Sequence, residues 1–160
     1  MESNNLVDIP NYDNYKFDLD LLQVYNSKKN KYLKNCLNKK GYYMVCISYT
    51  NFSIHRLVYM CNNPTEDLTG FQIDHIDNNK LNNKIENLRK CSASDNCSNR
   101  KTRINNKLGI KYIFKENNRY RFLLRKNGIR YQKNFKTLEE AIEYRNIKVK
   151  EICGEFTNLG

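Results

Sequence analysis

Tryptophan is absent from the 160 residues, histidine occurs only twice, and 39% of positions are hydrophobic. That poverty in large apolar side chains argues against one extensive core and for two modest ones, each only marginally stable. The six cysteines (Cys36, Cys46, Cys61, Cys91, Cys97 and Cys153) form no C-x-x-C pair. Two histidines are too few to complete a usual zinc set, so no structural zinc is expected. No apolar run approaches membrane-spanning length, and the N-terminal stretch MESNNLVDIPNYDNY has no secretory features. An intracellular protein with reduced, semi-buried thiols and no membrane partner is expected.

What the chain does have is positive charge, a net of +11, which suits a polyanionic partner. Lysine and asparagine are also favoured by AT-rich coding, so the total decides little. Its distribution decides more. Residues 1–70 carry 8 basic against 7 acidic side chains, residues 71–106 carry 7 against 4, and residues 107–160 carry 13 against 6. Within 107–136 ten basic residues face only Glu116. Codon bias would spread the charge evenly; here it is gathered.

Residues 6–50 read as short strands joined by polar turns, with Gly41–Tyr49 β-branched and aromatic. Ser53 is placed to cap a helix over about 54–61, with Ile54, Leu57, Val58 and Cys61 at helical spacing and Pro64 closing it. His55 lies on this helix and is expected to support rather than react. FQIDHI then reads as a strand, DNNKLNNKIE as a polar loop, NLRKC as a second strand, and SASDNCSNRK as a helix capped by Ser92 or Ser94.

The last block is predicted as a strand Ile110–Lys115, a Glu116-Asn117-Asn118 turn, a strand Arg119–Lys126, an Asn127-Gly128 type I′ hairpin turn and a strand Ile129–Phe135. A helix from Thr137 follows, with Glu140 completing a capping box and Gly154 as C-cap. The hairpin register places Arg125 opposite Arg130, Leu124 opposite Tyr131, Arg121 opposite Asn134 and Tyr120 opposite Phe135. Alternation then gives an apolar face of Tyr120, Phe122, Leu124, Ile129, Tyr131 and Phe135. The opposite face carries Arg119, Arg121, Arg125, Arg130, Gln132 and Asn134, joined by Lys111 and Lys115 if the first turn has three residues. Guanidinium forks suit phosphate oxygens and guanine edges, and a β-ribbon fits the major groove. Double-stranded DNA is the expected partner. RNA fits less well, because this face offers arginines rather than stacking aromatics.

Asp74 and His75 at a strand end, with Asn96 on the helix that follows, would supply a base and hard oxygen ligands for phosphodiester hydrolysis. The landmarks HRLV, DHIDNNKLNN, ENL and SDN resemble the HNH nucleases, of the phage and viral homing-endonuclease branch. Residues 9–45 resemble the small strand-rich module that often precedes that motif. The segment from Gly109 to the end is similar to the DNA-binding domain of plant ethylene-response factors.

These resemblances imply an α+β fold: a ββα-metal module preceded by a small strand-rich module and followed by a three-stranded antiparallel sheet packed on one helix. They imply an endonuclease domain over 1–106 (strand-rich module about 1–52, helix about 54–61, ββα-metal core about 71–101) and a DNA-binding domain over 107–160. Asp74 and Asn96 would hold one divalent ion, Mg2+ or Mn2+, His75 would be the general base, and Asn87 would brace the site. Asn96 stands where many relatives have histidine, making an H-N-N variant. Arg89, Arg100 and Lys101 would contact phosphate. A monomer of viral, phage or mobile-element origin, acting in the cytoplasm or nucleus of a host, is expected. The competing expectation is a non-catalytic DNA-binding regulator whose nuclease module has decayed.

Overall fold

The computed structural model describes residues 5–102 and 106–159. Residues 1–4, 103–105 and 160, at the edges of the expected domains, lie outside the described residues. By packing the chain divides into two compact units, 1–90 and 91–160. This division falls inside a strand and is a different criterion from the compositional boundary at 106/107.

In the first unit, strands β1 (Leu6–Asp8), β2 (Tyr15–Asp18), β3 (Gln23–Asn26) and β4 (Lys31–Tyr32) form an antiparallel sheet in chain order. Phe17 and Val24 pair across β2 and β3 and are fully buried. The buried Asp18 carboxylate accepts the Asp20 and Leu21 N–H groups and the Tyr32 hydroxyl, which closes the turn into β3 and ties down β4. A second sheet follows, of β5 (Cys36–Leu37), β6 (Tyr43–Ile47) and β7 (Thr50–Ser53). Ser48 and Tyr49 both have positive φ, the geometry that two-residue hairpin turns require.

Helix α1 (Ile54–Asn62) leaves β7 directly and buries Ile54, Leu57 and Val58. Ser53 occupies its N-cap position with extended backbone but makes no side-chain cap bond. Ile9, Phe17, Val24, Val45, Ile47, Leu57 and Ile73 share one core, so both sheets and α1 close over a common interior. Arg56 reaches the carbonyl oxygens of Leu68 and Phe71, both at 2.9 Å, and holds the approach to β8 (Gln72–His75). β8 pairs with β9 (Leu88–Cys91) in a two-stranded sheet. The thirty-residue β–loop–β stretch is therefore seated on a core built before it.

The second unit holds α2 (Ala93–Asn99), β10 (Ile113–Glu116), β11 (Arg119–Lys126), β12 (Ile129–Phe135) and α3 (Leu138–Cys153). Asn127 and Gly128 both have positive φ, and the register pairs Arg125 with Arg130, Leu124 with Tyr131, Arg121 with Asn134 and Tyr120 with Phe135, as the turn dictates. Phe122, Leu124, Val149 and Cys153 form the core between sheet and α3, with Tyr131, Phe135 and Tyr144 packed around it. Thr137 and Glu140 make the capping box of α3, and Ser92 with Asp95 makes that of α2.

Three expectations are corrected here. The first turn has two residues, Asn117-Asn118, because Glu116 pairs with Arg119. Lys115 therefore stands across from Tyr120, on the apolar side, and Glu116 with Phe114 takes the arginine side. Strand β10 also starts at Ile113 rather than Ile110, and Lys111 before it is buried. None of the six cysteines is in a disulfide, and Cys36, Cys46 and Cys97 are exposed rather than semi-buried.

Candidate active site

β8 ends on Asp74 and His75, and both side chains are buried, at 6% and 4% exposure. Adjacent strand residues point to opposite sides, so each meets different neighbours. Asp74 Oδ2 accepts from Arg89 Nε at 3.2 Å and Nη2 at 3.1 Å, a cross-strand ion pair between β8 and β9 that gives a buried carboxylate a charged partner. Arg89, expected to contact phosphate, is the partner of Asp74 in this pair.

His75 Nε2 lies 3.0 Å from Asn83 Oδ1, a carboxamide that is itself 4% exposed. The amide oxygen only accepts, so Nε2 carries the proton and neutral His75 has its lone pair on Nδ1. Its ring packs 4.9 Å from that of His55 and 6.0 Å from that of Tyr42, centroid to centroid. Lys80 Nζ caps the outer face of Tyr42 at 4.8 Å.

The loop between the strands is closed by its asparagines. Asn87 accepts from the Asp77 N–H at 3.1 Å and donates to Asp77 Oδ1 at 2.9 Å and to the Asn82 carbonyl at 2.8 Å. Asp77 also accepts from the Asn79 N–H at 2.7 Å and from Asn82 Nδ2 at 2.8 Å. Partial desolvation opposes ionisation there, but the donors from Asn82, Asn79 and Asn87 leave the Asp77 carboxyl below its ordinary pKa. Asn78 takes the left-handed backbone, which asparagine tolerates. The bonds shorten the loop enough to bring Asn83 back onto His75.

Residues 53–97 match the family model described as HNH endonuclease. Two relatives in Acanthamoeba polyphaga mimivirus are the uncharacterized HNH endonucleases L560, 37% identical over 75% of this chain and 63% of that one, and L245, 40% identical over 59% and 29%. The chain thus spans less than two thirds of the length of either. A solved structure of the HNH homing endonuclease I-HmuI, which describes DNA binding and cleavage by that protein, superposes with a TM-score of 0.53 at 25% identity, covering 88% of this chain and 83% of that one. No helix among the described residues is long and apolar enough to cross a membrane.

Within the matched segment, His55 is the residue whose surroundings were least legible beforehand. Burial first, then the neighbouring His75 and Arg56 charges, lower its pKa from 6.5 to about 4. The unfolded chain therefore binds a proton between those values that the folded chain refuses. The stability that follows is fully present above pH 6.5 and is lost as pH falls toward 4, by up to about 3 kcal/mol. His55→Phe keeps an aromatic ring and removes the titration. Melting temperatures measured from pH 7 to 4 fall less steeply for this variant than for wild type; parallel curves refute the assignment.

Asn96 sits half-buried on α2, in the second unit, with its N–H bonded to the Ser92 carbonyl at 3.0 Å. No three His, Cys, Asp or Glu side chains cluster in metal-holding fashion among the described residues. Arg100 and Lys101 follow α2 and are exposed. With Lys111, Tyr112, Phe114 and Arg125 they line a cavity of about 480 Å3 at the sheet. On the sheet, Arg119, Arg125, Arg130 and Gln132 are exposed, and Arg130 donates to the Gln132 side chain. Arg121 is ion-paired to Glu116 at 2.6 Å, so its charge is partly spent. Asn83, Tyr42 and the Arg89–Asp74 pair were missed in the sequence. Only the cross-strand position of Arg89 offered a signal, because one asparagine among many carries none.

Proposed function

We propose that the protein is a metal-dependent endonuclease of the homing type that hydrolyses phosphodiester bonds in double-stranded DNA, anchored by its β10–β12 sheet. The observation that carries this is the buried Asp74–His75 pair, with the His75 tautomer set by Asn83, inside a segment that matches the HNH endonucleases. His75 Nδ1 takes a proton from the attacking water, while Asn83 holds the Nε2–H and keeps the ring from turning. Asn87 closes the loop that delivers Asn83, and Arg89 pairs with the Asp74 carboxylate.

The donors fit a hard divalent cation: the Asp74 carboxylate and the Asn96 amide offer oxygens of the kind that Mg2+ or Mn2+ prefers. Asp74 and Asn96 belong to separate packing units, and their joint ligation is part of the proposal. When bound, the ion neutralises charge developing on the scissile phosphate. The arginine-bearing sheet, with its likeness to the ethylene-response-factor domain, supplies the duplex contact.

Incubating supercoiled plasmid with the protein and Mg2+ or Mn2+ yields open-circular or linear product, and EDTA abolishes it. Duplex binding without nicking in either ion would favour the non-catalytic regulator.

A further inference from the structure

Helix α2 carries Asn96 yet has only seven residues. Isolated helices below about 12 residues are marginal in water, so α2 needs support beyond its own capping box. That support comes from the sheet and the chain's C-terminal end. On one side Lys126 Nζ is ion-paired with Asp95 and donates to Ser98 Oγ at 3.3 Å, while the Asn127 N–H donates to Ser94 Oγ at 3.2 Å. At the other end Lys111 Nζ donates to the Ser98 carbonyl at 2.7 Å and to that of Arg100. The Tyr112 hydroxyl donates to the Ser98 carbonyl at 3.3 Å, and Asn158 Nδ2 donates to that of Asn99 at 2.8 Å. These are the last carbonyls of the helix, which have no intrahelical donor.

Both lysines belong to the recognition sheet's own segments. Lys126 ends β11 at the hairpin turn, and Lys111 leads into β10; each is 7% exposed. A buried ammonium is costly unless every donor is used, and long cationic side chains ordinarily keep their charge in water. Two that turn inward onto one two-turn helix do more than fill space.

We infer that Lys126 and Lys111 are positioning residues that clamp α2 to the sheet, so that the helix presenting Asn96 and the arginine face move as one piece. The catalytic consequence rests on the nuclease reading above; the clamp itself does not. The sheet is then no tether detachable from α2, and the placement of Asn96 is tied to that of the arginine face.

The test uses the full chain with Lys126→Met and Lys111→Met, which keep length and apolar stem, and Lys126→Arg as the conservative variant. Amide hydrogen exchange of residues 93–99 is measured on metal-free protein, duplex binding in EDTA, and plasmid nicking across a Mn2+ titration. Expected are at least tenfold faster exchange in α2, duplex affinity within twofold of wild type, and at least a fivefold higher Mn2+ concentration for half-maximal nicking, with Lys126→Arg intermediate. Wild-type exchange and wild-type Mn2+ dependence in both methionine variants would overturn the clamp. So would duplex affinity that falls in step with nicking, since the lysines would then serve the binding face. If wild type never nicks while α2 exchange still rises, the nuclease reading fails and the clamp stands. Should Lys126→Met fail to fold, Lys111→Met carries the test.

Discussion

His75→Ala lowers metal-dependent plasmid nicking by about 10²–10⁴-fold, the loss expected when a positioned general base is removed. Duplex affinity stays near that of wild type, because His75 is buried at the end of β8 and far in function from the arginine face. The imidazole follows Asp74 directly at the end of β8 and carries a ring nitrogen able to accept a proton from water. Asn83→Ala acts through the same atom: it frees the ring and the tautomer at once, and a smaller loss of the same kind follows. His75→Ala also opens a gap against His55 and Tyr42, so a melting curve must accompany the rate. Equal nicking by folded wild type and folded His75→Ala refutes the catalytic role.

The second large effect is on binding. Arg119, Arg125 and Arg130 are exposed on the same sheet face, whereas Arg121 already has Glu116. Each phosphate neutralised contributes about 0.9 to the slope of log affinity against log salt. Changing the three to alanine should flatten that slope by about 2–3. At 0.1 M salt this amounts to a loss of several hundredfold in affinity. Arg121→Ala alone should cost less than Arg125→Ala, because removing it leaves Glu116 unpaired but surrenders a charge that was partly spent. Filter binding on a random duplex between 50 and 300 mM salt measures both quantities. An unchanged slope in the triple variant excludes this face as the docking surface.

Much of the second unit was legible because its determinants are local. Asn127-Gly128 permits only the turn whose twist joins two strands directly, so every cross-strand pair of β11 and β12 followed from it. Thr137 with Glu140 set the start of α3 for the same reason. The turn before β11 was less legible: Asn117 and Asn118 tolerate several conformations, and one residue more or less moves Lys115 to the other face. In the first unit the Asp74–His75 pair and Asn87 were singled out through the resemblance to the HNH nucleases. Asn83 was not, because a segment with so many asparagines offers equal candidates until the loop closes.

By itself the sequence determined the order of elements, the register of the last hairpin, the one-sided arginines, and a carboxylate–imidazole pair at a strand end. All of these follow from backbone preferences within a few residues and from the two-residue period of a strand. Tertiary structure alone decided where the long polar side chains spend their charge. Arg89 went to Asp74 rather than to solvent, Lys111 and Lys126 turned inward onto α2, and His55 became a half-buried neighbour of His75. The reason is the cost of burying an unsatisfied polar group: which carbonyl or carboxylate lacks a partner is known only once the chain has closed around it.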